Sequence, residues 1–119
     1  MPRRDPRAYL LDIHEAAALL DLAVQGRTRE QYGGDPILRS AVERQLITIG
    51  EALVQFLRAT PEAQGRISNT RQIIALRNIL VHGYADVSND IVWSTLHQDL
   101  PVLRLEAAAL LDELGAMDG

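Results

Sequence analysis

The sequence predicts an all-α protein, an antiparallel four-helix up-and-down bundle with a kinked last helix. Three observations point to it. Of the 119 residues 47% are apolar and only 4% aromatic, so the core is built of Leu, Ile, Val and Ala, the residues of packed helices. Apolar residues recur at steps of three and four in four separate stretches, and no stretch alternates with the period of two that a strand requires. Gly and Pro fall between these stretches, where helices stop and start.

In the first helix Leu10, Ile13, Ala17, Leu20 and Val24 form the inward stripe, with Gly26 as a stop. The second is entered through G-G-D-P at 33–36, where Asp35 can cap and Pro36 can begin the first turn. Its stripe is Val42, Leu46, Ile49, Leu53 and Phe56, and Pro61 lies beyond its end. The third starts within Ser68 to Thr70, each a possible cap, and carries Ile73, Leu76 and Leu80 inward until Gly83. Ser88 or Asn89 caps the fourth, on which Trp93, Leu96, Leu100, Leu103, Ala107, Leu110 and Leu114 are expected in the core. Pro101 should kink this helix near 97–100, because it removes one hydrogen bond and crowds the preceding turn.

A chain of this length fits one domain, expected to span residues 1–119, and can bury about two-thirds of the surface its unfolded form exposes. It has no cysteine, which excludes disulfides, thiolate nucleophiles and sulfur-ligated zinc. The charged start M-P-R-R-D-P-R is followed by an apolar run interrupted by Asp12, Glu15 and Asp21, so neither a signal peptide nor a membrane span is read here. The expected location is the cytoplasm. A net charge of −4 argues against a sequence-independent nucleic-acid coat. The charge is unevenly spread. All twelve basic residues are Arg; eleven lie in residues 1–78 against nine acids, and the remainder holds Arg104 against seven.

R-N-I-L-V-H-G-Y, residues 77–84, lies on that boundary. It combines Arg77, Asn78, His82 and Tyr84 at the end of a helix, and Arg77 and His82 are expected to lie outside the packed stripe. On a straight helix residues five apart are separated by about 140° around the axis, so Arg77 and His82 cannot act together as helical neighbours. Their convergence needs either a distortion at Gly83 or a second copy of the motif across a two-fold axis. Gly50, inside the second helix, costs about 1 kcal/mol relative to Ala and implies a close approach by another helix. Glu51 beside it either serves an arginine of a neighbouring helix or chain, or is a solvated surface carboxylate. His14 and His97 have no metal-like spacing and read as structural, and Trp93 reads as core.

The R-x-x-x-x-H-x-Y pattern of residues 77–84 resembles that of HepT-like proteins, a branch of the HEPN superfamily of small α-helical domains. The likeness extends to D-P-R-A-Y-L-L-D-I at 5–13, I-G-E-A at 49–52, I-I-A-L-R-N at 73–78 and I-V-W-S-T-L-H-Q-D-L-P at 91–101. The resemblance implies a HEPN-like bundle acting as a homodimeric, metal-independent endoribonuclease that needs no cofactor. It further implies the toxin of a type VII-like toxin–antitoxin pair, whose antitoxin is a minimal nucleotidyltransferase. RNA, tRNA or mRNA, would be the substrate. RNA carries its own nucleophile, the 2′-hydroxyl, so the enzyme needs a proton carrier and a cation. His82 suits the first role, since an imidazole titrates near neutral pH, and the Arg77 guanidinium suits the second. Asn78 would position substrate. Tyr84 is expected to accept AMP from the partner, placing a bulky anion beside Arg77 and His82. The competing reading is a non-catalytic module that docks a nucleotidyltransferase and binds nucleotide or tRNA.

Overall fold

A computed structural model describes residues 4–83 and 87–115, and every regular element among them is helical. Helix α1 (Pro6–Val24) begins behind Asp5, whose carboxylate accepts from the Arg7 amide at 2.9 Å. The Arg7 guanidinium also binds that carboxylate, and with the amide holds the Asp5 pKa down at about 2. All five positions of the expected stripe are buried, joined by Ala16.

A short helix not anticipated from the sequence follows, α2 (Arg29–Gly33). It is set by a reciprocal cap: the Thr28 hydroxyl accepts from the Gln31 amide at 3.1 Å, and the Gln31 side chain accepts from the Thr28 amide at 2.9 Å. Five residues are too few for an apolar repeat, so periodicity does not register it. Its purpose in packing is Tyr32, which is completely buried and lies 5.7 Å from the Trp93 ring, centroid to centroid. The Tyr32 hydroxyl has no hydrogen-bond partner among the described residues, and burial pushes its pKa up to about 12. An acid whose pKa is raised on folding contributes stability below its unfolded pKa, and that stability is lost as the pH climbs from about 10 to about 12. Tyr32→Phe removes an unsatisfied buried oxygen and keeps the ring. The variant is expected to melt no lower than the wild type at pH 7 and to lose less stability at alkaline pH; pH-resolved thermal melts check both.

Helix α3 (Pro36–Ala59) starts as expected, with the Asp35 carboxylate accepting from the Leu38 amide at 3.0 Å and Pro36 in the first turn. Its stripe from Val42 to Phe56 is buried throughout. A 3₁₀ turn (Pro61–Arg66) then reverses the chain into α4 (Thr70–His82). One of the three expected residues takes the cap position, but none makes a side-chain cap bond there. Asn69 occupies the cap position at φ 61° without a side-chain cap bond, while the Ser68 amide and hydroxyl donate to the Glu106 carboxylate at 2.9 and 2.8 Å. This ties the loop to the last helix, a contact between distant residues that local pattern does not show. Helix α4 ends on Gly83 at φ 70°, the left-handed conformation that glycine adopts without strain.

The last leg is α5 (Asn89–Ser94), a π turn (Thr95–Asp99) and α6 (Leu100–Leu114), in unbroken succession. The Ser88 hydroxyl caps it, accepting from the Ile91 amide at 3.3 Å. The expected disturbance by Pro101 takes the form of the π turn, in which the Leu100 amide donates to the Thr95 carbonyl five residues back. Five of the seven expected core positions hold, from Leu96 to Leu110. Val92, Leu96, Leu100, Leu103, Ala107 and Leu110 face inward, whereas Trp93 is half-buried against the core and Leu114 is exposed. The expected core positions at both ends of the leg are therefore corrected.

Helix α1 packs between α3 and α6, and α3 carries α4 on its other side. Arg7 at the start of α1 reaches the Gly115 carbonyl at 3.1 Å, and Asp21 near its end pairs with Arg104, so α1 and α6 run antiparallel. Among the described residues no helix is long and apolar enough to cross a membrane.

Candidate active site

The site is built where α3 and α4 touch. A β-carbon on Gly50 would lie 2.4 Å from Cβ and 2.6 Å from Cγ of Arg77, so only glycine lets the two helices meet at this spacing. Arg77 therefore does not sit on a polar helix end, as the sequence led us to expect. Its aliphatic stem lies over Gly50, its side chain is only 24% exposed, and its Nε is buried without a hydrogen-bond partner among the described residues. The guanidinium emerges beyond the stem. There Nη2 donates to the Glu51 carboxylate in an ion pair, and Nη1 donates to Asn78 Oδ1 at 2.7 Å.

Of the two readings of Glu51, the one that serves an arginine is correct, and the arginine belongs to the motif itself. The pair is half-exposed on the carboxylate side, so it adds about 1 kcal/mol or less to stability. Its main effect is orientation. Asn78 and Glu51 fix the plane of the guanidinium while the packed stem fixes its origin, and both terminal nitrogens retain further N–H groups for an anion.

His82 is the last residue of α4 and is exposed. The helix is regular up to it, so the distortion that could have turned His82 toward Arg77 is absent from α4. Within one chain the two stand on different faces. Ile79 and Val81, 45% and 50% exposed, flank His82 with apolar surface. Tyr84 lies outside the described residues.

His97 and Trp93 contact each other. A ring nitrogen of His97 lies 2.8 Å from the Trp93 carbonyl oxygen, and the His97 and Trp93 ring centroids are 4.2 Å apart. Among the described residues no three His, Asp or Glu side chains are grouped so as to hold a metal ion. One polar stripe next to Arg77 was not singled out from the sequence: Arg44, Thr48, Gln55 and Arg58, which share with Glu51 one face of α3. The signal was available, since the five recur at steps of four and three, but apolar periodicity draws attention to the opposite face.

Residues 13–110 match the family described as ribonuclease HepT-like. A protein named as a candidate RNase from Caldanaerobacter subterraneus subsp. tengcongensis is 29% identical over 110 residues, 92% of this chain and 97% of that one. A protein named as a candidate ribonuclease HepT from Thermococcus cleftensis is 31% identical over 106 residues, 86% of this chain and 92% of its own. Another candidate RNase, from Methanocaldococcus jannaschii, is 26% identical over 118 residues, 99% of this chain and 97% of its own. No solved structure matches.

Proposed function

Because the chain belongs to the ribonuclease HepT-like family, we propose that it is a metal-independent endoribonuclease whose active site is completed by a second copy of itself. The observation that carries this reading is the held guanidinium of Arg77, seated on Gly50 and aimed by Glu51 and Asn78. A cation fixed this firmly is suited to charge that appears only in a transition state, because it need not reorganise when the charge develops. His82 supplies proton transfer. Its place on another face of α4 supports assembly in a homodimer, in which Arg77 of one protomer meets His82 of the other. The exposed Ile79 and Val81 beside His82 offer apolar surface for that contact.

In the proposed reaction the ribose 2′-oxygen attacks the adjacent phosphorus, and the 2′-hydroxyl proton passes to a His82 imidazole. Arg77 neutralises the phosphorane oxygens. The bond from phosphorus to the 5′-oxygen breaks, and that oxygen takes up the proton held by the same His82, now an imidazolium. The products are a 2′,3′-cyclic phosphate and a free 5′-hydroxyl. Asn78 holds the Arg77 guanidinium and the substrate in register. The partner is a minimal nucleotidyltransferase antitoxin, with Tyr84 as the AMP acceptor and the chain as the toxin of the pair.

Purified protein incubated with RNA in excess EDTA tests the reading. The expected result is cleavage that leaves 2′,3′-cyclic phosphate ends and spares a strand with 2′-deoxyribose at the cut site. Loss of activity in EDTA, or 3′-hydroxyl ends, would contradict the mechanism; failure to cleave any RNA would favour a docking module over an enzyme. Co-expression with a nucleotidyltransferase of this class should add the mass of AMP to the wild type and not to Tyr84→Phe.

A further inference from the structure

The start of α1 with the residues before it and the stretch of α3 from Arg44 to Ala59 border a continuous groove, made of one concavity of about 400 Å³ and another of about 180 Å³ that share Arg4, Tyr9 and Gln55. The larger one reaches Glu51, the partner of Arg77. Along its α3 wall run Arg44, Thr48, Glu51 and Gln55, and Arg58 closes the smaller one. Fourteen residues of helix separate Arg44 from Arg58, about 21 Å, with Glu51 midway between them. The groove thus extends in both directions from the carboxylate that holds the Arg77 guanidinium.

Its charge is the second observation. Most arginines of this acidic chain are neutralised, each by its own carboxylate: Arg4 by Asp12, Arg7 by Asp5, Arg27 by Asp35, Arg66 by Glu113. Among the described residues Arg44, Arg58 and Arg71 have neither an ion pair nor a side-chain hydrogen bond, and two of these three stand at the two ends of the groove. The opposite wall contributes no net charge, because Arg4 is bound to Asp12 at 2.8 Å and lies 4.9 Å above the Tyr9 ring. Glu51 is likewise neutralised by Arg77. What remains is a channel with an uncompensated guanidinium at each end and the Glu51–Arg77 ion pair beside its middle.

We propose that this groove carries the backbone of a single RNA strand on both sides of the scissile phosphate, with Arg44 and Arg58 on flanking phosphates. The proposal rests on the ribonuclease reading above and adds to it where the substrate lies and how it is recognised. Tyr9, the aromatic side chain among the described lining residues, already carries Arg4 over one face, so the proposed contacts rest on the arginines and read the backbone, not the sequence.

The test is fluorescence anisotropy with a short labelled oligoribonucleotide carrying 2′-O-methyl groups, which cannot be cleaved because the nucleophile is capped. Arg44→Ala and Arg58→Ala are each expected to weaken binding by about three- to fivefold, the effect of one exposed charge contact. Each should also reduce the slope of log affinity against log salt by about 0.7, the value for one phosphate contact on a single strand. Arg71→Ala makes the same change in net charge outside the groove and should leave both quantities at the wild-type value, whereas Arg44→Lys should retain most of the affinity. Equal weakening by Arg71→Ala, or no weakening by the two groove variants, overturns the proposal. So does full RNA affinity combined with altered sedimentation of the groove variants, which would make the groove a contact between proteins. Unmodified RNA separates the two readings: if the wild type cuts and binds it while the groove variants match the wild type, only the groove assignment falls; if the wild type neither cuts nor binds, the ribonuclease reading falls with it.

Discussion

His82→Ala is expected to lower RNA cleavage by about 10²- to 10⁴-fold, the range of a lost general acid or base. The residue is exposed at the last position of α4 and contributes nothing to the apolar stripe of Ile73, Leu76 and Leu80. Its removal should therefore change stability by about 0.5 kcal/mol or less, as for most surface substitutions. Binding of the uncleavable oligonucleotide should persist, because the proposed phosphate contacts belong to arginines. Cleavage rates, thermal melting and anisotropy on the same preparation separate these outcomes. If His82→Ala melts far below the wild type, the imidazole is structural and the assignment fails. If it cleaves at the wild-type rate, the proton carrier lies elsewhere.

Gly50→Ala should be the most damaging of the smallest possible changes. The added carbon would stand 2.4 Å from Arg77 Cβ, against about 3.5 to 4.0 Å for ordinary carbon contacts, so one helix must shift by about 1 Å. Cβ is fixed to the α4 backbone and cannot swing aside as a side-chain tip would. Overpacking of this kind costs about 1 to 3 kcal/mol, and the better helix propensity of Ala offsets about 1 kcal/mol of it. The effect on catalysis is expected to exceed the effect on stability. A 1 Å displacement of a positioned group costs about 100-fold in rate, and here the displaced group is the guanidinium proposed to meet the phosphorane. A Gly50→Ala protein that melts a few degrees lower and cleaves about 100-fold more slowly fits this account. One that cleaves normally would show that Arg77 does not depend on its seat.

The legible parts of the fold were those written in apolar spacing and in caps. The stripes of α1, α3 and α4, the Asp35 and Ser88 caps and the Gly83 stop all follow from side-chain period and short-range hydrogen bonding. Helix α2 was missed because its determinant is a single cap pair, Thr28 with Gln31, and its role depends on Tyr32 reaching Trp93 some sixty residues away. In the last leg five of the seven expected inward positions hold, from Leu96 to Leu110, but the form of the irregularity was not legible: Pro101 announces a disturbance, and whether the chain bends or widens into a π turn depends on neighbouring helices. At the site, Gly50 and Glu51 announced a close helix and an arginine without identifying Arg77. The assumption that Arg77 stands clear of the packed surface failed because a long side chain can bury its stem while presenting its charge.

The central claim is that Arg77 and His82 of different protomers form one active site, and mixing two inactive variants tests it most directly. Arg77→Gln and His82→Ala should each be inactive as homodimers. When the two are unfolded together and refolded at equal amounts, a mixed dimer pairs the intact Arg77 of one protomer with the intact His82 of the other. Random mixing gives half mixed dimers with one complete site in two, so about a quarter of wild-type cleavage is expected to return. Mixed dimers that form, as verified by mass spectrometry of differently tagged chains, and recover no cleavage would contradict the shared site.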